Sequence, residues 1–103
     1  MKKEAVALTL AALLNAACGG AVAVDEDTVW YGSPEAAENP GLKIHEKIHQ
    51  DQMRGLEGGA AEFWQTYLSN PDQACAWEIE ANIAQGVKNP EDHPACKGFF
   101  GKK

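Results

Sequence analysis

Two histidines four residues apart, His45 and His49, enclose a glutamate, Glu46, in the run His45-Glu46-Lys47-Ile48-His49. On a helix this spacing stacks both imidazoles on one face, with about 5–6 Å between their Cβ atoms. Two rings so placed can reach a single tetrahedral Zn²⁺, with bonds of about 2.0–2.1 Å. Glu46 then lies beside the metal and is positioned to take a proton from a bound water, so that metal and carboxylate together generate a hydroxide-like nucleophile. Lys43 and Lys47 sit on the same helix and fit the opposing reading, a solvated face carrying surface ion pairs.

A catalytic zinc needs three protein ligands and an open position. A third histidine six residues beyond His49 is excluded, because position 55 is Gly55. A glutamate on a later helix is the other common solution, and Trp77-Glu78-Ile79-Glu80-Ala81-Asn82 offers two, Glu78 and Glu80. Glu78 shares a helical face with Asn82, four residues on, which favours Glu78 as third ligand and leaves Glu80 as the alternative.

Over residues 40–85 the chain resembles the gluzincin clan of zinc metallopeptidases, in its compact form. The resemblance is carried by the His45 to His49 motif, by His49-Gln50-Asp51-Gln52, by Phe63-Trp64-Gln65-Thr66-Tyr67-Leu68 and by Trp77 to Asn82. It implies a small three-helix zincin-like core and an exported peptidase acting on a peptide or protein substrate. His45, His49 and Glu78 would hold Zn²⁺ and Glu46 would be the general base. In the clan an Asp four residues after the ligand Glu orients a ligand histidine. Here Asn82 takes that place, a departure that would raise ligand basicity less. The clan also uses a Tyr or His donor for the tetrahedral intermediate, which makes Tyr67 and His93 candidates. The alternative, suggested by the chain's small size and by Lys43, Lys47 and Asn82, is a non-catalytic exported helical binding protein or lipoprotein with a degenerate zinc site.

The elements that must position these groups are mainly helical. Asn39-Pro40 caps a helix over about Leu42–Leu56, stopped at Gly58-Gly59; a second spans about Ala60–Leu68, and a third runs from Pro71 to Ile83 or Val87. Thr28-Val29-Trp30-Tyr31 has strand composition and is at most one short edge strand, the place where an extended substrate would lie. Trp30, Trp64 and Trp77 read as core anchors, and the tail from Glu91 to Lys103 reads as irregular.

The N-terminus has the layout of a signal peptide. Met1-Lys2-Lys3 is basic, Ala5 to Ala17 is largely apolar, and Ala21-Val22-Ala23 fits a cleavage site. The expected division is therefore 1–23 as signal and 24–103 as a single helical zinc-binding domain. The competing site is a lipoprotein box ending before Cys18, which would become the lipidated first residue. Either route predicts export, to the periplasm, cell envelope or outside the cell, with membrane contact only through a lipid on Cys18. Cys75 and Cys96 then remain as an even pair suited to a disulfide. The net charge of −6, with no basic patch, argues against nucleic acid as a partner.

Overall fold

The structure is a computed structural model, and it describes residues 20–97. In chain order it comprises β1 (Ala21–Asp25), β2 (Thr28–Tyr31), a single-turn helix α1 (Pro34–Ala37), α2 (Pro40–Arg54), α3 (Gly59–Ser69), α4 (Pro71–Gln85) and a 3₁₀ turn (Pro94–Lys97). The fold is mainly helical, as the sequence predicts.

Three helices start by one device. Ser33, Asn39 and Asn70 each precede a proline, and each side-chain oxygen accepts a backbone N–H three residues on, at 3.1 Å. Proline supplies the helical φ and lacks the N–H that would otherwise need a partner. Helix α4 stops at Gly86, whose φ of 88° lies in the left-handed region that glycine adopts without strain. Helix α3 has no side-chain cap of its own. Glu26, in the β1–β2 turn, supplies one from outside by accepting the Ala60 N–H at 3.1 Å. That contact places a negative charge on the positive end of the helix and docks the hairpin there.

The strand expectation needs correction. Strands β1 and β2 form an antiparallel hairpin, pairing Ala21 with Tyr31, Val22 with Trp30 and Ala23 with Val29, with an irregularity before Asp25. There are thus two strands among the described residues, and the one against the motif helix is β1, not Thr28–Tyr31. β1 is also part of the core: Ala21, Val22, Ala23 and Val24 are all buried. Its side away from β2 is occupied, because Trp64 Nε1 donates to the Ala23 and Val24 carbonyls and Gln50 Nε2 donates to the Asp25 carbonyl. Ala21, Val22 and Ala23, expected as the end of the signal, are thus buried strand residues in this structure. Small-residue composition suits a cleavage site and a tightly packed strand equally well. The predicted signal residues 1–19, Cys18 among them, lie outside the described residues. No helix among the described residues is long and apolar enough to cross a membrane.

Helices α2 and α4 face each other, with α3 closing one end. Met53, Phe63 and Tyr67 are fully buried with Ala23, Ala74 and Ala95, and Trp64 and Trp77 pack against them. Phe63 stacks on Trp77 with ring centroids 4.4 Å apart, meets Trp64 edge-on at 4.9 Å and lies 5.6 Å from the His49 ring. Burying a phenylalanine completely stabilises a fold by about 1.5–3 kcal/mol. Here the same ring also forms one wall of the polar centre. Cys75 on α4 and Cys96 in the 3₁₀ turn form a disulfide, as the cysteine count predicts.

Candidate metal centre

His45, Glu46 and His49 all lie on the inward face of α2 and are buried, and Glu78 is buried on the facing side of α4. One Glu78 oxygen, Oε1, lies 2.9 Å from His45 Nε2 and 3.0 Å from His49 Nε2. One ligand atom from each of the three residues lies within 4.8 Å of the other two. The two imidazoles are edge-to-face with centroids 4.9 Å apart, so their Nε2 atoms converge without ring stacking.

The opposite edge of each ring is also occupied. His45 Nδ1 is 2.9 Å from Gln85 Oε1, and His49 Nδ1 is 2.8 Å from Gln52 Oε1. Both partners are acceptors, so each ring carries its proton on Nδ1. Bonding to Glu78 as well would require a second proton on each Nε2, hence two imidazoliums around one carboxylate in a buried space. A divalent cation taking the place of those two Nε2 protons satisfies the same atoms with neutral rings, which is the usual state of ligand histidines. The donor set therefore fits a metal ion: two imidazole nitrogens and one carboxylate.

The other predicted residues separate clearly. Glu46 is buried near the centre. Burial pushes its carboxyl above the ordinary carboxylate range, the His49 and His45 charges pull it back, and the Ala23 N–H donates to it. Tyr67 is buried, and its hydroxyl donates to Glu78 Oε2 at 2.6 Å. His93 is also buried, and its Nε2 lies 3.4 Å from Glu78 Oε1. The structure thus brings both Tyr67 and His93 to the centre. His93 Nδ1 accepts the Ala95 N–H at 3.0 Å. In its neutral form the ring must then carry its proton on Nε2, so toward the centre His93 is a hydrogen-bond donor and not a lone-pair ligand. Burial lowers the His93 pKa, which favours that neutral form.

Two of the candidate residues lie away from this group. Glu80 is not at the centre: it is exposed, and its Oε1 accepts from Gln52 Nε2 at 3.0 Å. Asn82 does not occupy the histidine-orienting position either. Its Nδ2 donates to the Pro90 carbonyl at 2.9 Å and so fixes the segment leading to His93. The residues actually found on the outer edges of the rings are Gln52 and Gln85. For Gln52 a signal existed, its place three residues after His49 on the same helix. For Gln85, 40 residues from His45, no local pattern points to it.

The electrostatics follow from the shared carboxylate. Burial works against charge on His49, but the adjacent Glu78 charge and hydrogen bond, with Glu46 and Gln52, outweigh it and raise its pKa to about 9. Burial likewise opposes ionisation of Glu78, yet His49, the bonds from His45 and His49, and His93 hold its carboxyl well below the usual range. Comparison of the chain with family models, curated proteins and solved structures gave no match.

Proposed function

We propose that this chain is an exported zinc-dependent hydrolase of metallopeptidase type, acting on peptide bonds with a metal-activated water. The observation behind this reading is the clustering of six buried side chains around the Glu78 carboxylate. Three of them, His45, His49 and Glu78, would hold the metal. The other three are more than a structural metal requires. Glu46 is a carboxylate with its pKa moved toward neutrality by burial, the property a general base needs. Tyr67, which donates to Glu78 Oε2, and His93, whose Nε2 lies near the Oε1 shared by the two histidines, are donors that would stabilise negative charge developing on a carbonyl oxygen.

The chemistry supplied by the ion is polarisation of a carbonyl and acidification of water. The protein's part is to hold the ligand set, to receive the water's proton on Glu46 and to pass it to the leaving amine. Zinc is preferred on ligand type, since two imidazoles and one carboxylate are a common catalytic zinc set. Export is supported by the Cys75–Cys96 disulfide, because such bonds persist in oxidising compartments.

A second reading is favoured by the burial of Glu46 and His93, which are only 2% and 5% exposed. A metal there would be closed off and would serve the fold alone. Metal analysis combined with a peptide-library assay on the wild type and Glu46→Gln separates the two. The hydrolase reading expects about one zinc per chain in both proteins, and cleavage by the wild type only. Zinc retained in both with cleavage by neither leaves the structural reading.

A further inference from the structure

We infer that Gln52 and Gln85 are positioning residues that set the tautomers of His49 and His45 so that both Nε2 lone pairs face the metal, with Glu80 holding Gln52 in the required orientation; this rests on the metal reading above. A glutamine side chain can present either its oxygen or its NH₂ group to an imidazole, and the two orientations have opposite consequences. Its oxygen stabilises the Nδ1–H tautomer and frees Nε2 for the metal, whereas its NH₂ would place the proton on Nε2 and close the site.

For Gln52 the orientation is determined by what lies behind it. Its Nε2 donates to the Trp77 carbonyl at 3.1 Å and to Glu80 Oε1 at 3.0 Å. With two acceptors on that side, the amide cannot turn without setting its oxygen against both. Its oxygen is thereby directed to His49 Nδ1, at 2.8 Å. Glu80, exposed and apart from the metal, thus acts on His49 through the amide. For Gln85, packing against Gly41 holds the amide beside His45, and the contact with His45 is made by its oxygen. A Cβ on residue 41 would come within 3.1 Å of Gln85 Nε2 and 3.3 Å of its Cγ, so the amide lies close over Gly41 at the start of α2. His45 is one helical turn further along, and its Nδ1 meets Gln85 Oε1 at 2.9 Å. Both ligand histidines are therefore oriented by neutral amides.

The test is an exchange of charge between Gln52 and Glu80, with zinc affinity measured by chelator competition. Removal of the acceptor in Gln52→Leu or Gln85→Leu is expected to weaken zinc binding about 10–100-fold, the usual cost of losing such a partner. Gln52→Glu alone sets a carboxylate oxygen against both Glu80 and the Trp77 carbonyl, which drives the side chain away from His49, and is also expected to bind weakly. The double variant Gln52→Glu/Glu80→Gln restores the donor–acceptor pair with residue 80 but not with the Trp77 carbonyl, and binding is expected to recover in part. A residue that merely fills space would not show that recovery. Zinc binding unchanged in Gln52→Leu and Gln85→Leu, or a double variant as weak as Gln52→Glu, overturns the inference.

Imidazole ¹⁵N spectra give a readout that needs no metal. In a metal-free Glu78→Ala background, where no carboxylate competes at Nε2, the neutral His49 ring should show the Nδ1–H form, and adding Gln52→Leu should lose that preference. A wild type that takes no zinc, with this pattern present in the Glu78→Ala background, defeats the metal reading and leaves the tautomer assignment standing. A pattern unaffected by Gln52→Leu defeats the assignment itself.

Discussion

Metal binding should become tighter with rising pH up to about pH 9, and the size of the effect follows from the His49–Glu78 pair. In the metal-free protein His49 holds a second proton up to about pH 9, because the buried Glu78 carboxylate outweighs the desolvation of the ring. A metal must displace that proton before it can reach Nε2. Around neutrality the ring lies about two pH units below its pKa, so the apparent affinity should be roughly 100-fold weaker than its alkaline limit, about 3 kcal/mol. Chelator-buffered zinc titrations across this range should show log affinity rising by about one per pH unit. Calorimetry near neutral pH, in buffers of different ionisation enthalpy, should report at least one proton released per metal bound. Stability of the metal-free protein should run the other way. His49, with its pKa raised on folding, contributes fully below its ordinary value of 6.5, and that contribution is lost as the pH rises through about 9. Glu78, with its pKa lowered, contributes above 4.5, and that contribution is lost as the pH falls through its depressed value. The pair therefore supports the metal-free fold most between these limits, at a pH where metal binding is already handicapped. A metal affinity that does not change between neutral pH and about pH 9 would refute this reasoning, since His49 would then not be surrendering a proton at the metal position.

Two further predictions concern what holds the centre together. Reduction of Cys75–Cys96, or the Cys75→Ser/Cys96→Ser variant, should destabilise the fold by about 3 kcal/mol for a loop of this size, read as a fall in denaturant midpoint. Because Cys96 is three residues beyond His93 and its N–H donates to the His93 carbonyl at 2.9 Å, the same change should reduce any hydrolytic turnover more than it reduces zinc content. Truncation should show where the folded unit begins: a chain starting at Gly20 should melt cooperatively, whereas one starting at Val24 should be markedly less stable, having lost the buried Ala21, Val22 and Ala23. Equal melting of the two would contradict the place of β1 in the core.

The helices were legible in the sequence because their signals are local. Asn39-Pro40 and Asn70-Pro71 mark two starts, Gly86 marks a stop, and the structure places the ends within a few residues of the expected ones. The His45, His49 and Glu78 grouping was legible because helical periodicity puts the first two on one face and offers only two nearby carboxylates for the third position. Selection of Glu78 over Glu80 rests on the face Glu78 shares with Asn82, in resemblance to the gluzincin pattern, whereas in the structure Asn82 bonds to the Pro90 carbonyl and not to a histidine. The hairpin was not legible. Ala21-Val22-Ala23-Val24 carries no period-two alternation because β1 is buried on both faces, so its pattern merges with the apolar run before it. His93 was readable only as a loop residue, since its approach to Glu78 depends on the Cys75–Cys96 link and on the Asn82–Pro90 hydrogen bond, both tertiary.

The cost of the arrangement is itself an argument about its purpose. A fold of about 80 residues has little core to spare, yet this one buries His45, Glu46, His49, Glu78, Asn82 and His93 in its interior. Buried ionisable groups rarely stabilise a protein better than apolar residues of the same size would. Compensation is visible around them: the Phe63–Trp77 stack, the disulfide and two glutamines that complete the hydrogen bonding. Among the described residues no buried side-chain polar atom lacks a hydrogen-bond partner. Structural need alone would be met by a leucine at position 78 and apolar residues at 45 and 49. A carboxylate shared by two inward-facing imidazoles, each braced from behind, is a group that could hold a cation at its meeting point.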